Sequence, residues 1–381
     1  MIYLAIFAAN ITIYSEISKF FYLYADFFIS LQVISYNTSM TISVIIPVYK
    51  VENYIQRCLE SVIAQECDDF DIECILVDDC SPDMSMGIAK DIIDHYHGSI
   101  NFRIISNIEN LGPSTSRNNG LKVAKGDYIY YLDSDDHLSK NCLSSLFREI
   151  NQYGCVVDMV IGNSFNYNSG HCWLKEEKSP FLLLNHADIM RRFLRIELPT
   201  MAWNKLIRRP FLLDNNLVFR PGMLHEDELW SYELYNVVSS VVLIPDVTYY
   251  YEQVANSIMN SSSNLVRRTE GYHILVSRML NTLCHDLYVD RFFWGIYMYM
   301  KSEAIIRTEN LSGEIVSENK QLRRLMVNRS LADFRILIFI FLLLTVVPPF
   351  HWLIRFRWFR QNYSWFRKLL RRLAIIFDFL H

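Results

Sequence analysis

The sequence predicts an α/β fold: a mostly parallel sheet flanked by helices, followed by a helical C-terminal extension. Three observations predict it. Short β-branched apolar runs alternate with helical apolar spacings from Met40 to Asp136. These runs are apolar throughout, as strands covered on both faces are. Polar clusters close at least three of them, at the edge where such sheets bind ligands.

The elements follow in order. "ISVIIPV" is a first strand, and "VENYIQRCLESVIAQ" a helix with Tyr54, Ile55, Cys58, Leu59, Val62 and Ile63 on one face. "DIECILVDD" is a second strand, and "MSMGIAKDIIDHYHG" a helix ended by Gly98. "NFRIISN" is a third strand, "GPSTSRNNGLKVAKG" a helix closed by Gly126, and "DYIYYLDSDD" a fourth strand. Right-handed crossovers join such units. The polar ends "PVYKVEN", "DDCSPD" and "DSDD" then gather on one sheet edge and make a site. No G-x-G-x-x-G follows the first strand and no GxxxxGK[ST] occurs, which argues against dinucleotide and P-loop sites.

Asp133 and Asp135 lie two residues apart at a strand end and face one side of the chain. A hard divalent cation relieves their repulsion, and Mg²⁺ or Mn²⁺ held this way completes its shell with water and substrate phosphates. A metal-bound nucleotide diphosphate is the implied ligand. A lone D-x-D is more often a solvated turn; the neighbouring clusters favour the site. Asp79, beside Asp78, either accepts an N–H from a nucleobase or closes a turn. Tyr49 either stacks on that base or packs at the edge. Arg117, early in a helix, either neutralises the diphosphate or forms a surface ion pair.

The whole chain has 381 residues and a net charge of -4, which gives no general reason to expect a nucleic-acid partner. Its eight cysteines form no CxxC pair and read as reduced thiols in a cytosolic protein. The two ends differ from the middle. Residues 1–39 lack Gly, Pro, Arg, Cys, His and Trp, and Glu16, Lys19 and Asp26 interrupt them. They have neither the basic start of a signal peptide nor a clean membrane span. A strand begins directly at Met40, so Met40 is the expected start and 1–39 an upstream extension; the alternative is an extra helix on a membrane or on the domain. Mass spectrometry of the native N-terminus decides between them.

Ile336 to Ile354 is 19 residues without Asp, Glu, Lys or Arg, broken by Pro348 and Pro349. Seven Arg or Lys follow between Arg355 and Arg372, interleaved with Trp and Phe. That pattern suits a helix lying on an anionic membrane surface on the cytoplasmic side. Peripheral or re-entrant attachment through 336–381 is the expectation, with a single span or a basic helix on another surface as alternatives.

"SVIIPVYKVENYIQRCLESVIAQ", "ILVDDCSPD", "NLGPSTSRNNGLKVAKGDYIYYLDSDD" and "WNKLIRR…HEDELW" together resemble family 2 glycosyltransferases of the GT-A fold, over about residues 41 to 260. The resemblance implies a nucleotide-diphospho-sugar donor, a divalent metal (Mn²⁺ or Mg²⁺) and inversion at the anomeric carbon. It places Pro47, Tyr49 and Glu52 around the nucleoside and Asp79 on the base, most often uracil. Arg117 approaches the diphosphate. Asp133 and Asp135 match the DxD motif, with Asp135 in direct metal contact, and Asp136 is a supporting or sugar-binding acid. Asp227 in "LHEDELW" matches the general base, with His225 and Glu226 orienting it or the acceptor. Trp203 in "AWNKLIRR" either stacks on an acceptor sugar or packs in the core. The chain departs from many relatives at Lys50, where they have Asn. The implied partners are a nucleotide sugar and a glycan or lipid-linked acceptor.

The expected organisation is an extension (1–39), a catalytic domain (40–260), a helical extension without visible chemistry (261–335) and a membrane-associating tail (336–381). The expected activity is transfer of one sugar in bacterial cell-surface glycan synthesis, at the inner face of the membrane. A nucleotidyltransferase needs a Gly-rich basic loop after the first strand, and "PVYKVEN" is not one. A processive synthase carries QxxRW, and "QNYSW" does not match it. A non-catalytic nucleotide-sugar-binding module of the same fold is the remaining alternative, against which Asp133, Asp135 and Asp227 argue.

Overall fold

The structure, a computed structural model, describes residues 39–67, 69–174, 179–252, 264–282 and 287–332. The expectations for the N-terminal extension and for the 336–381 tail lie outside the described residues.

Strands β1 (Met40–Val48), β2 (Phe70–Asp78), β3 (Asn101–Ser106) and β4 (Tyr128–Tyr131) alternate with helices α1 (Ile55–Ile63), α2 (Ser85–Asp94) and α3 (Gly112–Val123). Strand β1 pairs parallel with both β2 and β4, and β2 pairs parallel with β3. Short strand β5 (His137–Leu138) and helix α4 (Cys142–Arg148) lead to β6 (Met159–Asn166), β7 (His171–Cys172), β8 (Phe181–Leu183) and α5 (His186–Leu194). Next come β9 (Lys205–Arg208), α6 (Arg209–Asp214), α7 (Glu226–Tyr235) and β10 (Val241–Tyr251). Helices α8 (Leu265–Asn281), α9 (Tyr288–Thr308) and α10 (Glu314–Ala332) close the described chain.

The sheet runs β3-β2-β1-β4-β9-β6-β10-β5. Its first half is the predicted parallel unit. In its second half β9 lies antiparallel between β4 and β6, so the whole is mixed. Two helix ends differ from expectation. Helix α2 stops at Asp94, well before Gly98. Helix α3 stops at Val123, and Ala124 turns extended at ψ 136. Gly126 serves another purpose: a Cβ there would lie 2.7 Å from the Ser43 nitrogen and 2.8 Å from the Thr41 oxygen, so only glycine lets this segment pass under β1.

Strand periodicity splits the core into two faces. Ile42, Val44 and Ile46 pack with Leu59, Val62 and Leu146 on one. Ile45, Ile75 and Val77 pack on the other with Leu121, and that cluster continues through Phe193 and Trp230 to Leu275 and Trp294. The helical extension therefore shares the core of the catalytic part. Gly271 permits part of this: a Cβ on it would lie 2.4 Å from the Leu224 carbonyl oxygen, so α8 rests directly on the turn before α7. A polar cleft of about 760 Å³ opens between α7, α8 and α10, lined by Glu233, His273 and Glu318 among others. Among the described residues no helix is long and apolar enough to cross a membrane.

Candidate active site

The loops after β1 and β2 are laced together. Lys50 N donates to Ser81 Oγ at 2.8 Å, Val51 N to Ser85 Oγ at 2.9 Å and Glu52 N to Asp83 Oδ2 at 3.1 Å. The exposed Glu52 accepts in return from Met84 N at 3.0 Å. Burial raises the Asp83 carboxyl, but hydrogen bonds from Ser81 and Ser85 outweigh it and hold the group below its usual range. Pro47 and Tyr49 are half-buried on this edge. Lys50 has a left-handed backbone, φ 55, a conformation Asn adopts more readily. Its ammonium lies 5.2 Å from the Tyr49 ring centre.

Asp79 does not present a free carboxylate to a base. It is buried and accepts from Asn107 Nδ2 at 2.7 Å, Leu111 N at 2.9 Å and Gly112 N at 2.8 Å. It thus satisfies orphan donors at the start of α3, where negative charge is favoured.

The aspartates after β4 gather as expected: oxygens of Asp133, Asp135 and Asp136 lie within 4.8 Å of one another. Their roles separate. Asp136 is 1% exposed, accepting from the Tyr249 hydroxyl at 2.6 Å and from Glu252 N at 2.8 Å. Both its oxygens are engaged, so it supports the loop and does not present a sugar-binding face. Asp133 Oδ1 accepts from Arg117 Nη2 at 2.7 Å. Asp135 has no ion pair among the described residues. Burial and then the Asp133 charge push its carboxyl up to about 6. A hard oxygen donor set under mutual repulsion fits Mg²⁺ or Mn²⁺, with Asp135 and the second oxygen of Asp133 as the groups that would hold it.

Arg117 was expected at the diphosphate. It is 6% exposed, and its guanidinium is turned onto two carboxylates, Asp133 and, at 3.0 Å, Glu226. Its Cζ lies 5.3 Å from the Phe219 ring centre.

Glu226, Asp227 and Glu228 open α7 in succession. The flanking acids each hold a cation: Glu226 has the buried Arg117, and Glu228 has the partly buried Lys301 Nζ at 2.8 Å. Burial raises Glu228, but Lys301 more than offsets it and keeps the group ionised below its usual range. Among the described residues Asp227 has no ion pair; its Oδ1 accepts from Glu228 N at 2.9 Å. Burial first, then the charges of Glu226 and Glu228, lift it to about 7. A carboxylate poised near neutrality between two neutralised ones suits a general base.

Of the two residues considered for the acceptor side, Trp203 takes its packed alternative and His225 is packed as well. Trp203 is 7% exposed, with its ring stacked on Tyr249 at 4.1 Å and 5°. It acts on the site at one remove, fixing the tyrosine that holds Asp136. His225 adopts a left-handed backbone, φ 65, and stacks on Tyr272 at 4.5 Å. Burial draws it down to about 4, so it is neutral.

Residues 43–214 match the profile of Glycosyl transferase family 2. The glycosyltransferase GlyG of Streptococcus pneumoniae is 31% identical over 240 residues, which span 60% of this chain and 75% of GlyG. The chain belongs to glycosyltransferase family 2.

The enzyme is also 28% identical over 214 residues to the poly(ribitol-phosphate) β-N-acetylglucosaminyltransferase TarS of Staphylococcus aureus, 56% of this chain but 35% of TarS. The crystal structure of TarS 1–349 in complex with UDP-GlcNAc superposes with a TM-score of 0.60 at 20% identity, covering 76% of this chain and 81% of that one. At that identity the likeness is one of fold, and the glycosyltransferase has the GT-A architecture.

Sequence reasoning missed several groups at this glycosyltransferase's site. Arg57 Nη2 donates to the Asp135 carbonyl at 3.3 Å and pairs with Glu252. Tyr249 anchors Asp136. Lys301, from the helical extension, pairs with Glu228 in the first turn of α7. Lys205, inside the motif that named Trp203, is fully buried. The one available signal was cations placed inside apolar segments.

Proposed function

We propose that this glycosyltransferase is an inverting enzyme that moves one sugar from a nucleotide-diphospho-sugar, a UDP-sugar by family expectation, to a hydroxyl of a glycan or lipid-linked acceptor in cell-surface polysaccharide synthesis. The observation that carries the reading is Asp227: one carboxylate with no ion pair among the described residues, between two that have one, joined through Glu226 and Arg117 to Asp133. The names of TarS and of its UDP-GlcNAc complex support the donor and acceptor classes by analogy.

In this reading Asp227 takes the proton from the acceptor hydroxyl. That oxygen attacks the anomeric carbon, the bond from that carbon to the diphosphate oxygen breaks, and the configuration inverts in a single displacement. General bases contribute ~10²–10⁴-fold to such steps. Asp135 and Asp133 would hold Mn²⁺ or Mg²⁺, which when bound supplies positive charge to the leaving diphosphate. Arg117 keeps Asp133 and Glu226 fixed relative to each other, so donor and base keep their spacing. The loops around Pro47, Tyr49 and Glu52 line the nucleoside end. Attachment to the cytoplasmic face of the membrane through residues 336–381 is part of the proposal and would bring the site to a lipid-linked acceptor.

Calorimetric titration of UDP, with GDP as comparison, with and without Mn²⁺ tests the donor half. Metal-dependent UDP binding that Asp135→Ala abolishes supports it; a folded sample that binds neither nucleotide overturns it. Asp227→Asn tests the chemical half: retained UDP binding with lost transfer is expected, and full transfer removes Asp227 as the base.

A further inference from the structure

Lys205 sits on β9 with its side chain fully buried. A buried ammonium without an anion is strongly disfavoured. Its Nζ donates to the Met201 carbonyl oxygen. That carbonyl belongs to a turn fastened to α7. Ser231 Oγ donates to the Thr200 carbonyl at 2.6 Å, and the Tyr235 hydroxyl to the Pro199 carbonyl at 3.2 Å. Asp227, Ser231 and Tyr235 follow at four-residue spacing, so they share one stripe of the helix. The turn and Lys205 therefore lie against the stripe that carries Asp227, and the carboxylate charge acting on Lys205 is that of Asp227.

The charged groups around Asp227 come from three elements. Glu226 and Glu228 on its own helix repel it and Arg117 on α3 attracts it, while on β9 the Asp227 charge raises Lys205. Arg117 is committed to Asp133 and Glu226, and Lys301 to Glu228. Lys205 is the buried cation without a direct carboxylate partner among the described residues at this site.

We propose that Lys205 is a positioning residue for Asp227: its buried ammonium keeps that side chain a carboxylate until it receives the acceptor proton. The inference rests on Asp227 being the base. Burial draws Lys205 down to about 7 and lifts Asp227 to about 7, so the two groups titrate in the same range.

The test uses the full chain with [¹³Cε]-lysine labelling and NMR-monitored pH titration, the Lys205 signal being assigned by its loss in Lys205→Met. In the unaltered chain this signal should titrate near neutrality. In Asp227→Asn it should titrate lower by about one pH unit, because the anion that raised it is gone. The same titration in both chains overturns the proposal. In activity, Lys205→Met should move the acid limb of kcat/KM upward by about one pH unit while donor affinity holds, with partial recovery in Lys205→Arg. A uniform fall in kcat with the limb unmoved also overturns it. Should Lys205→Met fail to fold, the lysine signal that shifts between the unaltered and Asp227→Asn chains decides. A fully active Asp227→Asn would instead remove the base assignment, which the NMR titration does not depend on.

Discussion

Asp133 and Glu226 are held on opposite nitrogens of one guanidinium, at 2.7 and 3.0 Å from Arg117. One belongs to the loop after β4 and the other to the first turn of α7, so a single side chain ties the aspartate cluster to the segment carrying the proposed base. Arg117→Lys keeps the charge and loses the fork. Transfer should fall about 10²-fold from misplacement of donor and base, with the fold retained. Arg117→Ala strands two partly buried carboxylates and should cost about 3 kcal/mol in stability. Steady-state kinetics and denaturant unfolding check both. An Arg117→Lys enzyme of normal activity would show that the tie has no catalytic importance.

The pH dependence follows from Asp227. A base must be ionised to act, and this carboxyl is raised to about 7 by burial and by Glu226 and Glu228. The acid limb of kcat/KM should therefore lie near neutrality, activity rising as pH rises through about 7. Stability runs the other way for this group. Its folded value lies above its unfolded one, so its stabilising contribution is complete below the ordinary carboxyl range and is lost as pH rises through the folded value. Kinetics from acid to mildly alkaline pH measure the limb. A rate already at its plateau in weakly acidic solution would contradict the assignment.

The sequence made the parallel half of the sheet legible and left the other half obscure, for a physical reason. Strands such as β1 and β2 are covered on both faces and read as unbroken apolar runs. Strand β9 is "KLIR", with a charge at each end, and it enters the sheet between β4 and β6, far from both in sequence. The site divides the same way. Asp133, Asp135 and Asp227 announced themselves in short local clusters. Lys205, Lys301 and Tyr249 did not, because their meaning lies in partners on distant elements, and an isolated Lys reads by default as a solvated one. Trp203 left two readings open and the structure takes the packed one, for the converse reason: a motif position reveals that a residue belongs near the site, and not which way its ring turns.

Tyr249→Phe isolates the support beneath the proposed metal-binding loop. The ring stacked on Trp203 is kept, while Asp136 loses the hydroxyl at 2.6 Å and the Asp133 amide loses its acceptor at 3.4 Å. Leaving such groups unsatisfied costs ~1–3 kcal/mol. Metal-dependent UDP affinity should weaken about tenfold, while metal-free nucleotide binding should stay the same. Calorimetry with and without Mn²⁺ separates the two. Equal weakening in both conditions would place the defect in the nucleoside pocket instead.

Lys301 and Glu228 offer the sharpest test of whether the helical extension belongs to the catalytic unit. Their ion pair spans α9 and α7 at 2.8 Å, with side chains 18% and 13% exposed. The ammonium also lies 5.1 Å from the Tyr272 ring centre and 4.9 Å from that of Tyr297. Removing one partner of such a pair leaves a buried charge and costs ~3–5 kcal/mol, whereas replacing both is often near neutral. Lys301→Met should therefore be strongly destabilising. Glu228→Gln in the same chain should restore much of the loss, giving a coupling energy of ~1–3 kcal/mol in a double-mutant cycle. Activity should follow stability, because Glu228 adjoins Asp227 in the first turn of α7. Strictly additive effects would mean that the two helices meet through apolar packing alone and that the extension merely covers the catalytic domain.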